Sequence, residues 1–456
     1  MTFPRYPRYK DSGVGWLGEV PAHWEVKRLR YVALLNPSKS EIRPLPAETP
    51  VSFIPMEALG DDGSLVLDQT RALQDVIDGY TYVREGDVVV AKITPCFENG
   101  KAAIMRGLTN EVGLGTTELT VLRPRGPVTT STYLFRVVTS EPFRWLGESH
   151  MYGAGGQKRV PDDFLRDFSI AWPPREEQGR IAAFLNHETG KIDALIEEQR
   201  RLIELLKEKR QAVISHAVTD HGCKTPGRLG YYIDLLPGYA FPSQGFRFDD
   251  GIRLLRGINV GVGEIRWNEA VFWPEESATG LEDYFLREGD VVLGMDRPWI
   301  GGGTRVARVS RQDLPALLLQ RVARIRAIEG LDPGFLWLIL VSQEFKRELE
   351  TDLTGVSVPH ISPEQIRSFR LSLPDLEVQS ELGKRVESEL KKVGLLIEQC
   401  ERSIALMEER KTSLVSAAVT GKIDVRGWSV GADSEELELA MVAEEPAGYS
   451  AQGGSA

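Results

Sequence analysis

A phrase of six residues occurs twice in this chain of 456 residues, and the second occurrence lies 203 positions after the first. Arg84-Glu85-Gly86-Asp87-Val88-Val89 returns as Arg287-Glu288-Gly289-Asp290-Val291-Val292. The likeness continues at an offset of 202, where Tyr133-Leu134-Phe135, Ser140 and Phe143 match Phe335-Leu336-Trp337, Ser342 and Phe345. At 201, Phe168, Pro173, Glu176 and Gln178 match Phe369, Pro374, Glu377 and Gln379, and that offset then holds to Ala217-Val218-Thr219 against Ala418-Val419-Thr420. An offset that drifts one residue at a time marks two copies of one folded unit separated by small loop deletions. A period near 200 is too long for a solenoid, so the copies are two domains of one design. Two similar modules on one chain suit a target that itself has two parts.

The length allows two to four domains, each with its own core. No apolar run is long enough to span a bilayer, and Met1 to Lys10 lacks the apolar stretch of a secretory signal. Cys96, Cys223 and Cys400 form neither a disulfide framework nor a zinc pattern, which points to a reducing cytoplasm. The net charge of −11 argues against nucleic acid until its distribution is examined. Six acidic residues and no basic ones lie between Gly427 and Ala456, leaving −5 elsewhere. Residues 21–160 carry 16 basic and 16 acidic side chains; residues 225–374 carry 17 basic side chains, 16 of them Arg. That bias fits planar contacts to phosphate or guanine, and it equally fits a GC-rich coding sequence.

Each copy opens with a mixed segment and closes with a long helix. Asp87 to Ala91 and Leu119 to Leu122 read as strands and Tyr133 to Leu146 as a helix. Asp290 to Leu293, Val322 to Ile325 and Phe335 to Glu350 follow the same order. Pro173-Pro174 then starts a helix with acidic residues at its positive end. A break is expected at Asn186-His187-Glu188-Thr189-Gly190, followed by one apolar stripe through Ile192, Leu195, Ile196, Leu202, Ile203, Leu206, Val213 and Val218. Val393, Leu396, Ile397, Ile404, Met407, Leu414 and Val419 carry the stripe in the second copy. Laying the two stripes together as an antiparallel coiled coil keeps both out of water. A helix of about 30 residues spans roughly 45 Å, the length of about 13 base pairs of duplex.

The expected architecture is therefore α/β (α+β), with two similar domains in pseudo-twofold arrangement separated by two long antiparallel helices. The boundaries read as 1–174, a helical spacer 175–222, a second domain 223–374, a second spacer 375–425, and an acidic, disordered tail 426–456.

Catalytic motifs are missing. The only Pro-Pro follows Trp172 rather than Asn or Asp, as an adenine methyltransferase would require. Gly153 to Gly156 and Gly301 to Gly303 lack the strand-then-helix setting of a cofactor loop. Glu389-Leu390-Lys391 imitates part of a nuclease motif but sits in the helical stripe region. The six His residues show no ligand spacing. The chain reads as a binder.

Several motifs follow one another in a definite order. They are a Gly-Asp-Val strand, Gly155-Gly156-Gln157-Lys158, Pro-Pro-x-x-Glu-Gln, a long helix and Ala-Val-Thr. Together with Tyr9 to Gly13, Trp16-Leu17-Gly18 and His23-Trp24-Glu25, they resemble the specificity subunits of type I restriction-modification systems over about residues 5–425. The resemblance implies two target-recognition domains, each reading half of a split site in double-stranded DNA, with the helices as a ruler. It also implies two methyltransferase (modification) subunits carrying S-adenosylmethionine, and a restriction subunit using ATP and Mg2+. This chain would then hold no cofactor or metal and catalyse nothing. In the second half, His23-Trp24-Glu25 has no clear counterpart, and the loop reads Gly355-Val356-Ser357-Val358-Pro359-His360.

Base edges are read mostly by Arg, Lys, Asn and Gln. The DNA-binding candidates are Lys92, Thr94, Asn99, Lys101, Gln157, Lys158 and Arg159 in the first domain. In the second they are Arg297, Arg305, Gln320, Arg321, Ser357 and His360. Two other readings stay open: a coiled-coil adaptor without DNA readout, and a single-chain DNA methyltransferase or nuclease with diverged motifs.

Overall fold

The computed structural model describes residues 3–154, 156–220, 222, 226–301, 303–350 and 359–429. Ser357 and the tail beyond Ser429 lie outside the described residues. The chain forms two compact units, Met1–Glu198 with Ser403–Ala456, and Gln199–Arg402. Each long helix is thus divided near its middle. It starts in the unit of its own copy and ends in the other.

In the first unit the strands Ala33–Leu35, Leu119–Pro124, Val88–Ala91 and Ala102–Ile104 form one antiparallel sheet in that order. All four residues of Val88–Ala91 are buried, because both faces of the sheet are covered. Val88 and Val90 join the core that contains the helix Ser131–Val138, whereas Val89 and Ala91 join a second core on the opposite face. A second sheet orders Thr70–Ala72, Pro50–Ile54, Val112–Gly115 and Thr81–Arg84, its central pair being parallel. The other unit repeats the first sheet with Ile233–Pro237, Val322–Ala327, Val291–Gly294 and Val306–Arg308. Its second sheet is Phe272–Trp273, Ile252–Leu255 and Ala316–Leu318, again with one parallel pair.

The repeated phrase is a turn locked by its aspartate. Gly86 and Gly289 take positive φ (82° and 87°), which only glycine adopts at little cost. Asp87 Oδ2 then accepts the amide of Arg84 at 2.9 Å, and Asp290 Oδ2 that of Arg287 at 2.8 Å. The same carboxylates receive a forked guanidinium from the neighbouring strand. Arg123 Nε and Nη2 reach Asp87 at 2.8 and 2.9 Å, and Arg326 reaches Asp290 at 2.5 and 2.9 Å. Burial works against the Arg123 charge, but Asp87 and Glu41 outweigh it and hold its pKa above the usual arginine value.

Three sequence expectations are corrected. Single helices were expected over Tyr133 to Leu146 and Phe335 to Glu350, but each is two: Ser131–Val138 with Glu141–Ser149, and Pro333–Val341 with Gln343–Glu350. The buried hydroxyls of Ser140 and Ser342 turn back onto Val137 O and Ile339 O and end the first helix of each pair. No break occurs at Asn186–Gly190, since one helix runs from Arg175 to Thr219. Thr189 is buried there and spends its hydroxyl on Leu185 O within the helix, at 2.6 Å. The third correction concerns Gly427 and Trp428, which belong to the fold rather than to the tail. Trp428 meets the Phe184 ring edge-on at 5.5 Å between centroids.

The strand that follows His23-Trp24 has a structural counterpart in the second unit. Glu25–Arg28 pairs antiparallel with Ser169–Trp172, and Pro226–Arg228 pairs in the same way with Arg370–Ser372. In the first unit, the preceding arm folds as a hairpin of Tyr9–Asp11 on Glu19–Pro21. Buried Glu177, in the first turn of the long helix, ties that arm down. It accepts from Tyr6 Oη at 2.6 Å and Trp24 Nε1 at 3.1 Å, and meets His23 Nε2 at 2.7 Å. Burial, then the hydrogen bond to Glu177, pushes the Tyr6 hydroxyl far above its usual pKa. Gly421 closes the second long helix with φ +73°, and a Cβ there would lie 2.4 Å from Pro21 Cδ.

Both helices share one seam. Positions 178, 182, 185, 189, 192, 196, 199, 203, 206, 210, 213 and 217 alternate in steps of four and three, and each is buried or half-buried. Adding 201 gives the second helix, Leu376–Val419, with positions 379 to 418 buried or half-buried in the same frame. This 3.5-residue repeat is that of a coiled coil. Ile192, Leu206, Val213, Val393, Ile404, Met407 and Leu414 lie on the seam. Leu195, Leu202 and Leu396 do not. They are 49%, 42% and 47% exposed, because one position off the seam turns a side chain about 100° away. Their neighbours Ile196, Ile203 and Ile397, also on the expected stripe, hold the seam positions. Within the first unit the two helices run antiparallel, with Asp193 bonded to Lys411 at 2.6 Å and, toward the start of the first helix, Arg180 bonded at 3.2 Å to Arg426 O in the segment that follows the second.

Two outcomes are expected. Ile196→Asp or Ile203→Asp lowers the melting temperature, whereas Leu195→Asp or Leu202→Asp leaves it nearly unchanged, as differential scanning calorimetry of the purified chain reads directly. Asp87→Ala, which removes the buried partner of Arg123 and leaves it only the half-exposed Glu41, costs about 3–5 kcal/mol in denaturant unfolding. Asp290→Ala costs less, because the Arg326 side chain is 23% exposed and regains water more easily.

Candidate nucleic-acid interface

The central strand of each domain runs out into a loop pinned by the same set of backbone bonds. In the first domain Lys92 N donates to Glu118 O at 2.9 Å, Val160 N to Lys92 O at 2.9 Å, and Thr94 N to Lys158 O at 3.0 Å. In the second, Met295 N donates to Arg321 O at 2.9 Å, Ile361 N to Met295 O at 3.0 Å, and Arg297 N to Pro359 O at 2.8 Å. Ile93 bridges Arg159 as Asp296 bridges His360. The frame therefore aligns Thr94 with Arg297, Glu118 with Arg321, and Arg159 with His360. It also extends the 203 and 201 offsets through loops that share few residues, Pro95 with Pro298 and Gly100 with Gly303 among them.

The side chains on this frame differ. In the first domain Arg159 lays its fork on Glu118, with Nε 2.9 Å from Oε2 and Nη2 2.8 Å from Oε1. The guanidinium holds the Glu118 carboxyl below its usual pKa. Thr94 Oγ1 donates to Glu98 at 3.3 Å. Lys92, Tyr152 and Arg159 line a cleft of about 350 Å³ whose far wall carries Asp162 and Asp163. Gln157 and Lys158 are exposed beside it.

In the second domain the carboxylate sits on the other strand. Asp296 receives Arg321 Nη1 at 2.9 Å and lies 2.7 Å from His360 Nδ1. Burial raises the pKa of this carboxyl, but Arg321 and His360 overcome the effect and leave it below the usual value. Arg305 donates Nε to Val260 O and Nη1 to Asp296 O, both at 2.9 Å, and burial lowers its pKa. The cleft above it is larger, about 660 Å³, and is lined by Arg256, Arg266, Arg297, Arg305, Gln320 and Arg321 among others.

The structure brings most of the candidates together. Lys92, Thr94, Gln157, Lys158 and Arg159 cluster at one loop junction, and Arg297, Arg305, Gln320, Arg321 and His360 at the matching one. Lys92, Arg159, Arg297, Arg305, Gln320 and Arg321 line the clefts, whereas Thr94, Asn99, Lys101, Gln157, Lys158 and His360 do not. Lys101 turns its Nζ back to Met56 O at 3.5 Å, and Asn99 is exposed on the turn before it. Glu118, Asp296, Tyr152, Arg256 and Arg266 were missed. A search for hydrogen-bond donors passes over acids, although Glu118 stands at the repeat offset from Arg321.

Gln178 and Gln379 explain the Pro-x-x-x-x-Gln part of the repeat. Each is buried and donates its amide to two carbonyls, Val128 O and Pro173 O in one copy, Gly330 O and Pro374 O in the other. They clamp the helix start to its domain and do not face the clefts. Among the described residues no group of three or more His, Cys, Asp or Glu is arranged to hold a metal. No described helix is long and apolar enough to cross a membrane.

The sequence matches no protein-family model. It is 30% identical to the type I restriction enzyme EcoAI specificity subunit of Escherichia coli, over 88% of this chain and 82% of that protein. Identity to the MjaVIII specificity subunit of Methanocaldococcus jannaschii is also 30%, over 59% of this chain and 66% of that one. Two solved structures share the fold at 19% identity, each over 88% of this chain and 98% of theirs. One comes from work on complex assembly and conformational transition of the type I R-M system (TM-score 0.73), the other is the HsdS subunit of Thermoanaerobacter tengcongensis (TM-score 0.54). Repeat, seam, clefts and relatives agree, and the chain belongs to the specificity subunits of type I restriction enzymes.

Proposed function

We propose that this chain is the non-catalytic, DNA-recognition component of a type I restriction-modification complex. Each domain reads one half of a bipartite site in double-stranded DNA. The observation that carries this reading is one backbone frame, built twice, with different polar and charged side chains at matched positions beside each cleft. A scaffold that repeats while its exposed polar residues change suits two different half-sites at a fixed spacing. The outward leucines of the helices, Leu195, Leu202 and Leu396, suit docking of two methyltransferase subunits.

The chemistry belongs to the partners. S-adenosylmethionine would bind the modification subunits, and ATP with Mg2+ the restriction subunit. The working place of the complex is the cytoplasm, where the genome is. The domains follow the boundaries 1–174 and 223–374, with 175–222 and 375–425 as helical spacers.

Co-expression with the methyltransferase subunit, followed by genome-wide mapping of methylated adenine, should yield one bipartite motif with a constant gap. Exchanging residues 20–172 for the same segment of a relative should change one half of the motif and leave the other half and the gap intact. An unchanged methylation pattern would favour the adaptor reading instead. Phosphate contacts carry a separate signature. Lys158 is exposed with no ion-pair partner among the described residues. Lys158→Ala should weaken the assembled complex on cognate and unrelated duplexes alike, and reduce the slope of log K against log salt by about 0.9.

A further inference from the structure

The two clefts match in backbone and differ in what their arginines are free to do. In the first domain Thr94 is short and bonded to Glu98, and Arg159 has its forked edge committed to Glu118. In the second, Arg305 is held by two backbone carbonyls and Arg321 by Asp296. Arg297 differs from all of these. Its side chain is exposed at the cleft and makes no hydrogen bond or ion pair among the described residues.

Its backbone is fixed more tightly than its side chain. The Arg297 amide bonds Pro359 O at 2.8 Å, and the residue takes φ +43°, a left-handed conformation that bulky side chains seldom adopt. Two neighbours define the space around it. Asp296 is already engaged by Arg321 and His360, so it does not capture Arg297. Arg305 lies on the same wall and repels it, which favours a Arg297 guanidinium pointing away from the protein.

An arginine with its whole fork unspent, on a rigid stem, in an arginine-lined cleft, suits one base. Guanine offers O6 and N7 as paired acceptors in the major groove, and the guanidinium fork matches that spacing. Adenine and cytosine present an amino donor where guanine presents O6, and a guanidinium has no acceptor to meet it. From the second domain's place in the DNA-reading function proposed above, we infer that Arg297 is a specificity-determining residue. It selects a guanine in the half-site read by residues 223–374. The matched position in the first domain, Thr94, makes no such selection.

The inference rests on the bipartite reading and is tested on the assembled methyltransferase complex. The wild-type motif is mapped first, then that of Arg297→Asn, which suits the left-handed backbone, and of Arg297→Lys, which keeps charge but loses the fork. Expected is a wild-type motif with a guanine in one half. In Arg297→Asn that single position becomes degenerate, while the other half and the gap stay as they were. Methylation of duplexes with the guanine replaced should rise relative to cognate by about 5- to 150-fold, the discrimination of one bidentate pair. Arg297→Lys should fall between. A wild-type motif without guanine in the affected half, or an Arg297→Asn complex with undiminished discrimination, overturns the assignment and leaves the bipartite reading standing. A wild-type complex with no bipartite motif overturns that reading itself. If Arg297→Asn failed to assemble, Arg297→Lys with an unchanged preference for guanine over other bases would still refute the role of the fork.

Discussion

The apolar seam of the two long helices is the constraint on which the rest depends. Forty-five residues of amphipathic helix cannot be left in water, since each Ile or Leu buried along it contributes on the order of 1.5–3 kcal/mol. The chain meets this by completing each unit with the far end of the other copy's helix. Ala418 and Val419 share a core with Ile181 and Leu185, and Ala217 and Val218 share one with Val386. That exchange explains why Ala-Val-Thr recurs at both helix ends, and why Gly421 must be small and left-handed against Pro21. It also explains the clamps at the helix starts. Gln178, Gln379 and Glu177 fix where each helix leaves its domain, and so fix where the seam begins.

Upon this base each domain builds a scaffold that tolerates change at its loops. The buried Asp–Arg pairs hold the central strand to its neighbour, and three backbone bonds hold the loop that follows. Neither device uses the exposed side chains. The cleft residues are therefore free to differ between copies, and they do: Thr94 against Arg297, Glu118 against Arg321, Arg159 against His360. A protein that must read two different half-sites with one fold needs this separation between what supports and what reads.

Much of the organisation was legible in the residues. The repeat announced two domains, and the drift from 203 to 201 placed the length changes inside them. The Gly-Asp-Val phrase was legible as scaffold, because a positive-φ turn feeding a fully apolar strand has few other uses. The helical stripe was legible too, but not its face. Leu195, Leu202 and Leu396 fit a period near 3.6 as well as Ile196, Ile203 and Ile397 fit 3.5, and only packing separates the two. The break at Asn186–Gly190 and the single helices after the strands failed for a related reason. Local propensity argued for a stop at Gly190 and for continuity at Ser140, and buried hydrogen bonds of Thr189 and Ser140 reversed both.

The sequence by itself determined the duplication, the class of fold, the lack of recognised catalytic motifs and the family resemblance, since all of these follow from order and pattern along the chain. Tertiary structure alone decided which charges are spent and which are free. Arg159, Arg305, Arg321 and Arg297 are the same kind of residue in a list of candidates. Three of them are held by acids or carbonyls far away in sequence, and one is not. A hydrogen bond to Glu118, 41 residues from Arg159, or to Val260, 45 residues from Arg305, leaves no periodic trace. Its existence depends on which strands become neighbours, and the cleft's chemistry depends on that.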